Sequence, residues 1–144
     1  MNLEDMTLDV EQTIDIDGTP AEVFKSVLRN LGEDNKRGDG ESLQMKIEEW
    51  AGGRWYRDRG EGIQHLWGHV QTIKPAELIE ISGPMFMSYP AINHLEVKLA
   101  ESDGGTRVTL RHRAIGMIDP QHREGVTHGW NSLLDAIKGD FVKG

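Results

Sequence analysis

Few side chains in this sequence are equipped for acid–base or metal chemistry. None of the 144 residues is a cysteine, which excludes disulfides, thiolate metal sites and cysteine nucleophiles. Six histidines remain. His65 and His69 are four residues apart, a spacing that would offer two imidazoles to one zinc ion on a helix. They fall instead in an alternating stretch that reads as a strand, where four residues span about 13 Å, too far to share an ion. His122 and His128 lie in a helical stretch and point to different sides. No metal site is expected. No phosphate loop, dinucleotide fingerprint or nucleophile motif is present either, and no cofactor is expected.

Two ionisable residues sit where apolar ones belong. Alternation places His112 on the face of Val108 and Leu110, and Glu49 on the face of Met45 and Ile47. A buried polar group needs a partner. A Glu49–His112 contact, or pairing of either with Arg57 or His65, would supply one. In such a pair the carboxylate raises the imidazole pKa, unless burial dominates and lowers it. An inward acid or base of this kind could orient a ligand or transfer a proton. The competing reading is a rim position in contact with water, since both residues lie near strand ends.

The larger signal is a surplus of bulky, adaptable apolar side chains. Trp55, Trp67, Met85, Phe86, Met87, Tyr89 and Trp130 are suited to an apolar pocket, with ordinary core packing as the alternative, favoured for Trp130. Met85 to Tyr89 forms an apolar connection that reads as a cavity wall or an exposed contact patch. Gly125 and Gly129 lie one turn apart in the last helix, where each glycine costs about 1 kcal/mol relative to alanine. Close approach to a sheet, or room for a ligand, would explain tolerating both.

The elements that must position these residues follow from periodicity. Leu8 to Ile16 alternates as a half-buried strand. Thr19-Pro20-Ala21-Glu22 reads as a capping box with proline at the first helical position, opening a helix with Val23, Phe24, Val27, Leu28 and Leu31 on one side. Gly32 is placed to end it. Residues 32–42 are polar and glycine-rich, a loop. Strands are expected at 43–49, 54–58, 64–73, 77–82, 93–100 and 106–112. The glycine pairs Gly52-Gly53 and Gly104-Gly105 mark tight reversals, each requiring a residue at positive φ. Asp119 and Pro120 then begin a long helix with Val126, Trp130, Leu133, Leu134, Ile137 and Phe141 in one stripe. Short turns between strands imply an antiparallel sheet. The fold class is therefore α+β, one strand, a helix, six strands and a closing helix, in a single domain over residues 1–144.

The formal net charge is −8 and the pI about 5.2, which argues against a nucleic-acid partner. No apolar run approaches the ~18 residues of a membrane span, and the acidic amino-terminal twenty residues do not read as a signal peptide. A cytoplasmic location is the default expectation.

Several motifs in order carry a resemblance. Pro20-Ala21-Glu22-Val23-Phe24, Gly52-Gly53-Arg54-Trp55, Leu66-Trp67-Gly68-His69-Val70 with Ile73-Lys74-Pro75 and Leu78, Gly105 to His112, and Gly129 to Leu134 together resemble the START-like, or SRPBCC, superfamily, the fold of the birch-pollen allergen. The chain is most similar to the branch named for homology to the heat-shock protein 90 ATPase activator. The resemblance covers about residues 8–138. It implies a helix-grip fold, a curved sheet of about seven strands around the long carboxy-terminal helix, with an apolar cavity between them. Members of the superfamily bind lipids, hormones and polyketides there, and some are cyclases.

The expected function is binding of a small apolar or amphipathic molecule. The candidate cavity residues are Met45, Glu49, Trp55, Trp67, Met85, Phe86, Met87, His112, Gly129 and Trp130, with the mouth near the 32–42 loop and the 84–90 connection. Two alternatives stay open: a cyclase or aromatase-type enzyme using Glu49 and His112, and a chaperone-interaction module, with a protein partner or a homodimer.

Overall fold

The structure, a computed structural model, describes residues 2–142. A seven-stranded antiparallel sheet has the order β1-β7-β6-β5-β4-β3-β2. Strand β1 (Thr7–Ile16) leads into helix α1 (Pro20–Leu31), and β2 (Met45–Ile47), β3 (Arg54–Asp58), β4 (Gln64–Lys74), β5 (Leu78–Gly83), β6 (Ala91–Ser102) and β7 (Gly105–Gly116) follow before helix α2 (Pro120–Gly139). This is the helix-grip arrangement.

Local chemistry sets the element ends. The Thr19 hydroxyl accepts from the Glu22 amide at 3.2 Å, and Pro20 occupies the first helical position of α1. Such a cap satisfies one of the donors that the first turn leaves free. At the other end the Leu31 carbonyl accepts from the Trp55 indole at 2.8 Å, so a sheet residue completes the last turn of the helix. Gly52 and Gly104 have φ of 87° and 82°, which places the expected left-handed residue in each glycine pair. On the convex face Arg111 and Arg107 form forked pairs with Asp9 and Asp15 across β1 and β7, in agreement with a register that sets Asp15 opposite Arg107. The core lies on the concave side, where Leu95, Val97, Val108 and Leu110 of the sheet meet α1 and α2.

Ahead of β1, Leu3–Met6 forms a 3-10 turn closed by reciprocal bonds between Asn2 and Asp5. One expected strand is corrected. Strand β2 ends at Ile47 rather than at residue 49. The chain turns there because the Trp50 amide bonds to the Glu48 carbonyl at 3.0 Å and the Gly53 amide to the Trp50 carbonyl at 2.8 Å. The Glu48 carboxylate, forked onto the Arg54 guanidinium at 2.9 Å, fastens the turn.

Candidate functional site

Helix α2 is the element around which the site is built. Asp119 caps it, accepting from the Gln121 amide at 2.8 Å. Its inner stripe, Val126, Trp130, Leu133, Leu134 and Ile137, is buried. Beside that stripe runs a second one of small residues: Gly125, Gly129, Ser132, Ala136 and Gly139 at helical spacing. These line a cavity of about 850 Å³. Its opposite wall is the loop from Asp34 to Leu43, and its inner end is formed by Trp55, Trp67, Phe86 and Trp130. A Cβ built at Gly125 or at Gly129 meets nothing within 4 Å. Neither glycine is required by close packing.

The aromatic end is assembled from three separate elements. Trp55 of β3 and Trp67 of β4 meet edge to face at 5.1 Å, and Trp67 meets Phe86 of the β5–β6 connection at 5.8 Å. A bulge between β3 and β4 pairs Tyr56 with Leu66 but Trp55 with Gly68, which leaves Trp67 as the extra residue. Bulges of this kind re-aim side chains. The indole N–H groups have unequal fates. Trp55 donates to the Leu31 carbonyl and Trp130 donates to His112 Nδ1 at 3.0 Å. Trp67 Nε1 is buried and has no partner, an arrangement that costs about 1–3 kcal/mol when nothing answers the donor.

His112 is fully buried. Indole nitrogen only donates, so Nδ1 carries no proton and Nε2–H donates to Asn93 Oδ1 at 2.6 Å. The Asn93 amide in turn donates to the Pro84 carbonyl at 3.0 Å and to the Met87 sulfur at 3.5 Å. Burial pushes the His112 pKa down to about 4, so the ring is neutral near pH 7. Both its nitrogens are occupied and it does not line the cavity. The network links α2, β7, β6 and the β5–β6 connection, and leaves no free acid or base.

The expected Glu49–His112 pair does not form. Glu49 lies past the end of β2, exposed, on a groove beside α1 shared with Lys25 and Lys46. The turn at residues 48–50 breaks the alternation that pointed it inward. Glu49 is therefore outside the cavity, and the acid–base pair of the cyclase-type alternative is not assembled. Arg57 and His65 pair with neither: they face each other across β3 and β4, and His65 Nε2 is 3.5 Å from Ser88 Oγ. Of the remaining candidates, Trp55, Trp67, Phe86, Gly129 and Trp130 line the cavity, while Met45, Met85 and Met87 are buried in the core behind it.

Two contributors escape sequence reasoning. Asn93 shares the inward face of Leu95 and Val97, and an amide in that series was the available signal. At the cavity rim the Tyr89 hydroxyl lies 2.8 Å from His122 Nδ1 and accepts from the Asp119 amide at 3.2 Å, with the two rings stacked at 5.6 Å. No spacing in the sequence connects a loop tyrosine to a first-turn histidine. Among the described residues, no three histidine, aspartate or glutamate side chains converge as metal ligands, and no helix is long and apolar enough to cross a membrane.

Comparison with solved structures places this geometry among known folds. A putative uncharacterized protein from Rhizobium leguminosarum is 16% identical, with 92% of each chain covered and a TM-score of 0.70. A protein from Chromobacterium violaceum is 15% identical, covering 94% of this chain and 98% of its own, also at 0.70. Ara h 8.0201 is 14% identical over 94% of this chain and 97% of its own, at 0.64. At these identities the likeness is one of fold. No curated protein matches the sequence. The model of the family described as Activator of Hsp90 ATPase homolog 1-like protein matches residues 39–140, from the loop over the cavity to the end of α2, and the chain belongs to that family, a branch of the SRPBCC superfamily.

Proposed function

We propose that this protein binds a small apolar or amphipathic molecule in the cavity flanking α2. The observation that carries the reading is the pair Gly125 and Gly129. A helix interior disfavours glycine by about 1 kcal/mol relative to alanine, and here no neighbouring atom lies within 4 Å of either Cβ position. Close packing accounts for neither, and both stand exposed along the open flank of the cavity. The volume of about 850 Å³ falls in the range of small-molecule sites, and an aromatic inner end with few polar groups is their usual composition. Membership of the SRPBCC superfamily, whose resemblance implies a ligand cavity between sheet and carboxy-terminal helix, supports the same location.

The apolar fluorescent probe N-phenyl-1-naphthylamine tests this reading. It should bind the folded protein, quench tryptophan emission, and raise the melting temperature in proportion to the logarithm of its concentration. Absence of saturable binding would remove the reading.

A second reading, contact with a chaperone of the kind the family's description names, draws on the convex face. Ile92 and Ile115 are direct cross-strand partners there, and both are exposed. It requires stimulation of a heat-shock protein 90 ATPase that Ile92→Lys abolishes.

A further inference from the structure

We infer that the ligand of this cavity carries a hydroxyl group, which donates to Oδ1 of Asn30 where α1 meets the last turn of α2. The inference rests on the cavity-binding reading and adds the polar group.

Asn30 lies in the last turn of α1, on the side that buries Val23, Phe24, Val27 and Leu31, and is itself only 4% exposed. Polarity on that side has a structural task. Asn30 Nδ2 reaches the Ser26 carbonyl at 2.9 Å, the Ser26 hydroxyl at 3.2 Å and Asp140 Oδ2 at 3.1 Å. The Ser26 hydroxyl gives its own proton to Asp140 Oδ2 at 2.6 Å. All three partners of Nδ2 are therefore acceptors, and the amide cannot be turned over without setting oxygen against oxygen. This clamp fastens α1 to the end of α2 and accounts for the nitrogen of Asn30.

It does not account for the oxygen. Among the described residues no donor reaches Asn30 Oδ1, and, unlike the enclosed Trp67 Nε1, it is not sealed in. Asn30 lines the cavity beside Gly139 and Asp140. Its one unused polar atom is thus an acceptor held in a fixed direction, in a position almost closed to solvent. Acceptors in such places are normally answered. A ligand hydroxyl answers this one and leaves its apolar body toward Leu133 and the aromatic inner end. The nearby charges favour a neutral donor. Arg29 lies 3.8 Å from the Asp34 carboxylate and 3.5 Å from that of Asp140, so both acids already have a cation. A ligand carboxylate would meet two acids and an acceptor oxygen, an arrangement that like charge disfavours.

The test uses three competitors of N-phenyl-1-naphthylamine that share one heavy-atom skeleton: 1-(2-naphthyl)ethanol, 2-acetylnaphthalene and 1-(2-naphthyl)ethylamine. The alcohol donates, the ketone only accepts, and the protonated amine donates with a positive charge. The wild type should bind the alcohol on the order of tenfold more tightly than the ketone, and the amine no more tightly than the alcohol. Asn30→Ala should erase the alcohol preference and still bind N-phenyl-1-naphthylamine. A crystal structure of the wild type with the alcohol, a check that needs no variant, should place its oxygen about 2.8 Å from Asn30 Oδ1. Equal affinities for alcohol and ketone, or a hydroxyl bound away from Asn30, would overturn the assignment while leaving the cavity reading intact. So would a tenfold preference for the amine over the alcohol, or an Asn30→Ala loss shared equally by alcohol and ketone. If N-phenyl-1-naphthylamine itself fails to bind the wild type, the cavity reading falls and the assignment falls with it.

Discussion

The indole N–H of Trp130 donates to Nδ1 of His112 across 3.0 Å, and that single bond sets the protonation of the whole buried network. A donor on Nδ1 leaves the imidazole proton on Nε2, where Asn93 Oδ1 receives it at 2.6 Å. A second proton would break the Trp130 bond and place a charge in a site with no carboxylate partner. The network therefore holds the cavity's frame together only while His112 is neutral.

This makes stability depend on pH in a defined direction. The His112 pKa is about 4 in the folded protein against 6.5 for an ordinary histidine. Between those values the unfolded chain binds the proton and the folded chain does not. The contribution is complete above pH 6.5, declines as pH falls through the window, and is lost below 4. A gap of this size corresponds to about 3 kcal/mol. His112→Gln keeps an acceptor and a donor but does not titrate. Urea unfolding at pH 7 and pH 4 should show the wild type losing about 3 kcal/mol more than the variant over that range. Parallel losses in the two proteins would contradict the assignment. The exposed acids Asp9, Asp15 and Glu48, whose pKa values are lowered chiefly by hydrogen bonds from Arg111, Arg107 and Arg54, titrate equally in both and cancel.

Asn93 should be as important as His112 despite carrying no charge. Asn93→Leu leaves His112 Nε2–H without its partner, while the Pro84 carbonyl loses one donor and keeps the Met87 amide at 3.1 Å. An unsatisfied buried group of this kind costs about 1–3 kcal/mol, so denaturant unfolding should report a loss of about that size. Amide exchange in the 84–90 connection should accelerate in the same variant. A loss below ~1 kcal/mol would mean that the network is not the brace described.

Gly68 and Gly83 permit the sheet to close behind Trp67. A Cβ at Gly83 would stand 2.4 Å from the Gly68 Cα and 2.6 Å from the Trp67 carbonyl oxygen. Gly83→Ala must push β5 away from β4, an overpacking cost of about 1–3 kcal/mol. The melting temperature should fall, and the Trp67 environment should change in the fluorescence spectrum. A variant as stable as wild type, with unchanged emission, would refute the close contact.

The long helix and the alternating strands were legible because each buries one face against one core: the stripe from Val126 to Ile137 and the series Leu95, Val97, Leu99 repeat with the period of their elements. The glycine-pair turns were legible for a similar local reason. Glu49 misled because alternation was extended two residues past the point where Glu48 and Trp50 fold the chain back. Asn93 and the Tyr89–His122 contact were not legible: their partners come from distant strands and loops, and register across a sheet is not encoded in the spacing of any one segment. Trp55, Trp67 and Phe86 were recognisable as pocket-forming types and the 32–42 loop as lying at the mouth, but the full small-residue flank of α2 appears only once the helix is docked.

The central claim is that the space beside α2 is kept open for a ligand, and Gly129→Leu tests it most directly. The new side chain starts from a Cβ with no atom within 4 Å and replaces glycine with a strong helix former, worth about 0.8–1 kcal/mol in α2. Measured together, thermal unfolding and N-phenyl-1-naphthylamine titration should show a variant at least as stable as wild type that no longer binds the probe. A variant that binds the probe as tightly as wild type, or a wild type that does not bind it at all, would contradict the account.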